Sequence, residues 1–234
     1  MSRIIHRRSK RMETRSAAWQ RLFIWRMRRL REPLSDLLHN IDTFDTFKWP
    51  PETLAEDERH GYEPTPWSAL PKIFKHVHLD FSRFTFIDMG SGKGRVVLTA
   101  SKLPFQSVIG VEFLPELCRI AENNLKTCRF LRRRTHDIKI IECDAIDFVP
   151  PNTPCMFFFL NPFGERLMQL VVNNIVGSYL KSPRDLYMIC IGGGKPTDFA
   201  EIARNPALKL QQSFVIPWGL LTRRNVAVFS VTAA

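Results

Sequence analysis

The chain has 234 residues, 44% hydrophobic and 24% charged, with 16 Pro and 11 Gly. That composition excludes a disordered, collagen-like or coiled-coil protein and suits one well-filled domain; no apolar stretch approaches the roughly 18 residues of a membrane-spanning helix. Of the formal net charge of +11, residues 1–31 hold a net +10, eleven Lys/Arg against Glu13 alone, so a polyanionic partner would be met by this arm and not by the remaining chain.

Residues 18–31 (AWQRLFIWRMRRLR) place Trp19, Leu22, Phe23, Met27 and Leu30 on one helical face and most arginines on the other. Two readings stay open for this basic amphipathic helix. It lies on anionic lipid or nucleic acid, or it packs its aromatic stripe on its own domain. An Arg-rich, acid-poor start also has the character of an organelle transit peptide. Residues 33–62, punctuated by Pro33, Pro50 and Pro51, read as an irregular linker or lid. The expected division is therefore an arm, helix and linker over 1–61 and a domain over 62–234, in a cytoplasmic protein that can sit at a membrane periphery.

Thr65 can cap a helix with Pro66 in its first turn, continuing through Trp67, Leu70, Ile73 and Phe74. From residue 84 apolar strands and helices alternate. Strands are predicted at 84–88, 107–113, 138–143, 155–160 and 186–191, with helices at 95–103, 115–126, 165–180 and 197–204. Two closing strands, 209–216 and 225–231, are joined through Pro217-Trp218-Gly219, a connector short enough for an antiparallel pair. The expected fold is α/β: a doubly wound, seven-stranded sheet, mostly parallel, ending in an antiparallel hairpin. The five cysteines show no C-x-x-C spacing and fall mostly in apolar runs, as buried reduced thiols do. The six histidines form no H-E-x-x-H motif, so no metal is expected.

In such a sheet ligands sit beyond the carboxyl ends of the strands near the switch in strand order. Four features fall there. FIDMGSGKGR runs from the first strand into a helix through Asp88, Gly90, Ser91, Gly92 and Gly94, letting backbone approach a ligand closely. Arg95 stands where a dinucleotide fingerprint has its last glycine, and Gly94 follows Lys93 where a P-loop needs Ser or Thr. Glu112 ends the second strand, where a carboxylate can accept two ribose hydroxyls. Asp144 and Ala145 follow the third strand, where a carboxylate can take a hydrogen bond from an adenine amine. Asn161-Pro162-Phe163-Gly164 ends the fourth; an Asn amide or backbone carbonyl can accept from an amine, and Phe163 can cover a planar or cationic substrate.

Together Asp88 to Gly94, Glu112, Asp144 and the Asn161 segment resemble the class I S-adenosylmethionine-dependent methyltransferases, over about residues 62–232. YEPTP, GSGKGR and LNPFG resemble bacterial methyltransferase-domain proteins and, more distantly, lysine methyltransferases of the disruptor-of-telomeric-silencing type. The resemblance implies a Rossmann-like fold. It implies that the glycine loop holds the methionine part of the cofactor, Glu112 its ribose and Asp144 its adenine. Asn161, Pro162 and Phe163 would then lie beside the methyl group, with Tyr62 and Thr65 closing over the cofactor. Adenine and glutamine amino-methyltransferases carry a second proline where this chain runs Pro162-Phe163-Gly164, which speaks against a flipped base.

The expected activity is methylation of nitrogen on a protein amine such as lysine. The alternatives are an RNA or DNA methyltransferase whose arm and Arg129–Arg134 cluster track phosphates, and a silent cofactor-fold scaffold docking through its basic helix. A nicotinamide oxidoreductase fits the glycine spacing least.

Overall fold

The structure, a computed structural model, describes residues 33–44, 61–129, 131–160, 162–193, 199–219 and 222–232. The arm over 1–31, its predicted amphipathic helix at 18–31, Asn161 and the predicted helix start at Thr197 lie outside these. Seven strands form one sheet: β1 (Thr85–Met89), β2 (Ser107–Glu112), β3 (Ile138–Glu142), β4 (Cys155–Leu160), β5 (Leu186–Ile191), β6 (Leu208–Pro217) and β7 (Arg223–Val231). Their order is β3-β2-β1-β4-β5-β7-β6. β1 to β5 are mutually parallel, and β7 lies antiparallel between β5 and β6. The order reverses direction between β1 and β4, so a crevice opens beyond their carboxyl ends.

β1 and β4 are buried along nearly their whole length because helices cover both faces, which is why they read as unbroken apolar runs. One face packs against α2 (Ala69–Phe74) and α3 (Arg95–Ala100), with Phe74, Phe81, Phe86, Phe105 and Phe158 in edge-on and tilted ring contacts. The other packs against α5 (Glu165–Lys181) and α6 (Ala200–Ala203) through Val171, Val172, Ile175 and Ile202. Between them in the chain, α4 (Pro115–Thr127) starts with Pro115 in its first turn and buries Leu117, Cys118 and Ala121.

Two expectations are corrected. α2 begins at Ala69, with Ser68 and not Thr65 at its N-cap position, and Ser68 makes no side-chain cap bond. The Thr65 carbonyl instead receives an N–H from Arg95 (3.3 Å). Within the supposed irregular linker, residues 33–39 form a helix, α1, closed by Asn40 at a positive φ of 55°. α1 and the segment after it are bonded to the sheet's glycine-loop edge. Asp42 exchanges hydrogen bonds with Asn124 (both 2.8 Å) and Thr127 Oγ1 donates to the Asn40 carbonyl (2.8 Å).

Candidate functional site

Beyond β1 the backbone turns three times through left-handed conformations, at Gly90 (φ 82°), Gly92 (φ 51°) and Gly94 (φ 80°). Only glycine takes these without strain. The three do different work. A Cβ on Gly92 would fall on the Tyr62 ring, and one on Gly90 would approach the Pro162 Cβ to 3.1 Å. Gly94 faces away from the crevice, and a Cβ there would press on Ala121 of α4 at 3.1 Å. The first two glycines thus shape the cleft, and the third lets α3 and α4 pack.

Glu112 is buried at the end of β2. One of its oxygens accepts from Gly92 N–H (2.9 Å) and the other from Phe113 and Leu114 N–H (both 3.0 Å). Loop and α4 entry are therefore fixed to one carboxylate. Asp88 is buried beside it and takes no hydrogen bond from any described residue. Burial, and then the Glu112 charge, hold its carboxyl well above the usual carboxylate range. The Ser91 hydroxyl is buried without a hydrogen-bond partner among the described residues.

The crevice runs from Tyr62 and Thr65 past Asp88, Gly90, Ser91, Gly92, Glu112 and Leu117 to Leu160, Pro162 and Phe163, with Glu63 and Arg224 at its mouth. Arg224 lies 3.7 Å from Glu63 and over the Trp218 ring. Pro162 and Phe163 also wall a second cavity of about 500 Å³, lined by Phe159, Met168, Val172, Phe199 and Ile202. The predicted β1, β2 and β4 residues therefore converge. Asp144 and Ala145 do not line this crevice: they lie one turn beyond β3, where Asp144 accepts from the Ile146 N–H (3.1 Å). They adjoin the site through the Cys143 N–H, which donates to the Glu112 carbonyl (2.9 Å).

A buried network behind the crevice has no counterpart in the expectations. Arg95, first residue of α3, donates from Nε to Thr43 Oγ1 (2.7 Å), from Nη1 to the Thr65 carbonyl, and from Nη2 to Asp36 of α1 (3.2 Å). Its guanidinium also lies over the Trp67 ring. Asp36 in turn receives the Thr43 N–H and hydroxyl. The Tyr62 hydroxyl donates to the Thr43 carbonyl (2.7 Å), while Lys93 pairs with Asp42 (2.8 Å). Burial pushes the Tyr62 phenol up, so it stays neutral. The one sequence signal was Arg95 itself, a charge at the first turn of a helix among apolar residues.

Solved structures share this fold. A candidate RNA methyltransferase from Pyrococcus horikoshii has 16% identity and a TM-score of 0.54, covering 81% of this chain and 94% of its own. An S-adenosylmethionine-dependent methyltransferase from Methanosarcina mazei has 12% identity and a TM-score of 0.53, covering 69% and 98%. A ribosomal protein L11 methylase from Lactobacillus delbrueckii subsp. bulgaricus has 15% identity and a TM-score of 0.50, covering 75% and 82%. The sequence profile of the family described as "Histone methylation protein DOT1" matches residues 59–152, the stretch from ahead of Tyr62 through the glycine loop and Glu112 to beyond Asp144. The chain has the fold of the class I S-adenosylmethionine-dependent methyltransferases.

No curated protein matches it. The crevice fits S-adenosylmethionine, a cationic molecule. Asp88 is a buried acid that no described residue bonds, Gly90 and Gly92 keep side-chain atoms out of the loop, and Leu117 adds an apolar wall. Among the described residues no group of three His, Cys, Asp or Glu side chains could hold a metal ion.

Proposed function

We propose that the protein is an S-adenosylmethionine-dependent methyltransferase that methylates nitrogen on a protein amine, a lysine side chain being the simplest acceptor. The observation that carries the reading is the chemistry of the crevice wall. Its described lining carries the carboxyl groups of Asp88, Glu112 and Glu63, the arginines Arg95 and Arg224, and the aromatic rings of Tyr62, Phe113 and Phe163, and it includes no His, Lys or Cys. Pro162 and Phe163 give the end of the crevice beyond β4 an apolar and aromatic wall, which favours the neutral, nucleophilic form of an arriving amine. The match to a family described by histone methylation supports the same substrate class.

In this reading Asp88 faces the cationic methionyl end of the cofactor and Glu112 the ribose, with Phe113 and Leu117 beside the adenine. Bound S-adenosylmethionine supplies an electrophilic methyl on a sulfonium. Because the leaving thioether is neutral, no acid is required, and the protein's task is alignment, which can contribute about 7–11 kcal/mol. A lysine must first lose a proton, at a cost of about 4.6 kcal/mol at pH 7 from its ordinary pKa. Phe163 and Pro162 exclude water where the amine arrives, which lowers that cost. Asn161 accepts from the amine N–H and directs its lone pair.

The test is transfer of labelled methyl to cell extract, separated into protein, nucleic-acid and small-molecule fractions. Label should enter protein, as methyl-lysine on hydrolysis. It should be lost in Asn161→Ala and cut at least tenfold in Phe163→Ala, with cofactor binding intact. Label confined to nucleic acid would overturn the proposal, as would cofactor binding with no transfer to any fraction.

A further inference from the structure

Two guanidinium groups reach the crevice, and they stand in opposite conditions. Arg95 is spent on its own fold, with Nε, Nη1 and Nη2 donating to Thr43, the Thr65 carbonyl and Asp36. Arg224, at the mouth, is only 22% exposed at its side chain, yet among the described residues no acceptor hydrogen-bonds its guanidinium. Its ionic partner, Glu63, lies at 3.7 Å, too long for an N–H···O hydrogen bond. A guanidinium presents several N–H donors in a planar fork that matches a carboxylate. A largely covered fork with its donors untaken, lining a ligand crevice, is therefore arranged to receive an anion.

The fork stands on a fixed base. It lies over the Trp218 ring, 5.6 Å from its centroid. Trp218 is buried, its backbone N–H donates to the Thr222 carbonyl (2.9 Å), and Lys72 of α2 donates to the Pro217 carbonyl (2.9 Å). The turn that carries Arg224 into β7 is thus tied to the domain, and little ordering remains to be done when an anion arrives. Glu63 shows which anion suits it. Its carboxylate already leans toward the fork, and at 55% exposure water can take it over when a better-placed carboxylate displaces it.

The sheet decides where that carboxylate comes from. Arg224 precedes Val226 by two residues, and Val226 pairs with Ile191 at the end of β5. In the strand order β7 lies three strands from β1, a distance of about 14 Å, with β4 and β5 between them. Asp88 and Glu112 belong to β1 and β2, whereas Pro162 and Phe163 follow β4. Arg224 is therefore rooted on the acceptor side of Pro162 and Phe163, away from the glycine loop. Resting on the amine-methylating reading above, we propose that Arg224 selects acceptors bearing a carboxylate beside the target amine, as in a lysine flanked by aspartate or glutamate. The carboxylate displaces Glu63 and pairs with the guanidinium fork, which brings the neighbouring amine against Pro162 and Phe163.

The experiment gives the full chain methyl-labelled S-adenosylmethionine and a library of peptides, each with one central lysine and randomised neighbours. Peptides whose lysine is flanked by Asp or Glu should be labelled at least tenfold faster than those flanked by Ala, and the preference should shrink as salt is raised. Arg224→Gln should cut that preference at least fivefold, through the KM for acidic peptides. Glu63→Gln, which removes the resident carboxylate, should sharpen it. If the Glu63–Arg224 pair merely latched the mouth, both variants would shift every peptide alike, and that result would overturn the proposal. Labelling without preference for acidic neighbours would overturn it too. So would a loss of S-adenosylmethionine affinity in Arg224→Gln that accounts for the whole effect, since the guanidinium would then serve the cofactor's own carboxylate. Cofactor binding with no transfer to any amine would refute the amine-methylating reading itself, and this proposal with it.

Discussion

Removing the Arg95 guanidinium should unsettle the fold and the cofactor cleft together. Arg95 and Asp36 are 2% and 8% exposed at their side chains and 3.2 Å apart, so Arg95→Met leaves Asp36 as a buried carboxylate that, among the described residues, only Thr43 holds. Losing one partner of a buried ion pair costs about 3–5 kcal/mol. For a domain of this size each kcal/mol moves the melting temperature by about 2–4 °C, giving a drop of roughly 6–20 °C. Arg95 also holds the Thr65 carbonyl and, through Thr43, the Tyr62 hydroxyl. S-adenosylmethionine affinity should therefore weaken about tenfold, equivalent to about 1.4 kcal/mol. Because a charge left unpaired carries most of the penalty, adding Asp36→Leu to Arg95→Met should recover at least half of the lost stability. Thermal melts and calorimetric titration of wild type, both single variants and the double variant measure every quantity. An Arg95→Met protein melting within about 2 °C of wild type would refute the reasoning. Strictly additive losses in the double variant would refute it as well.

Asp88 gives a pH signature. A carboxyl whose folded pKa is raised favours the fold below its ordinary range, and that contribution is lost as pH climbs through the raised value. Without cofactor the melting temperature should fall over that climb, and Asp88→Asn should flatten the fall. S-adenosylmethionine affinity should rise with pH over the same range in wild type and not in Asp88→Asn, as titrations at several pH values would read out. In Gly92→Ala the new methyl collides with the Tyr62 ring at a left-handed backbone position. Cofactor affinity should drop at least tenfold with the circular dichroism spectrum unchanged, as calorimetry and dichroism would show. All five cysteines are free thiols. Burial pushes Cys118 up to about 12 and Cys155 up to about 11, and drives Cys190 upward too. Iodoacetamide at neutral pH should spare these three in the native protein and label all five after unfolding, as mass spectrometry would detect.

The parallel core was legible because burial on both faces writes each strand as an apolar run. Cys155–Leu160 and Leu186–Ile191 were read to the residue. The glycine loop and Glu112 were legible for a different reason, since a left-handed turn and a strand-end acid leave residue-specific marks. α1 was hidden because its pattern is inverted, with Asp36 inward and leucines outward, so periodicity suggested no docked helix. Thr65 has the chemistry of a cap, yet Arg95 claims its carbonyl and the helix starts at Ala69. No local rule foretells that a charge on α3 will reach back to residue 36. The insertion of β7 between β5 and β6 was equally silent, because a hairpin's spacing fixes its own pairing and not its edge.

The central claim is that one crevice, between the ends of β1, β2 and β4, receives S-adenosylmethionine. Calorimetric titration of the cofactor into wild type and Glu112→Ala tests it most directly. Wild type should bind a single equivalent, and Glu112→Ala, whose loop and α4 entry lose their shared anchor, should bind at least tenfold more weakly. No heat in wild type, or undiminished affinity in Glu112→Ala, would contradict the account.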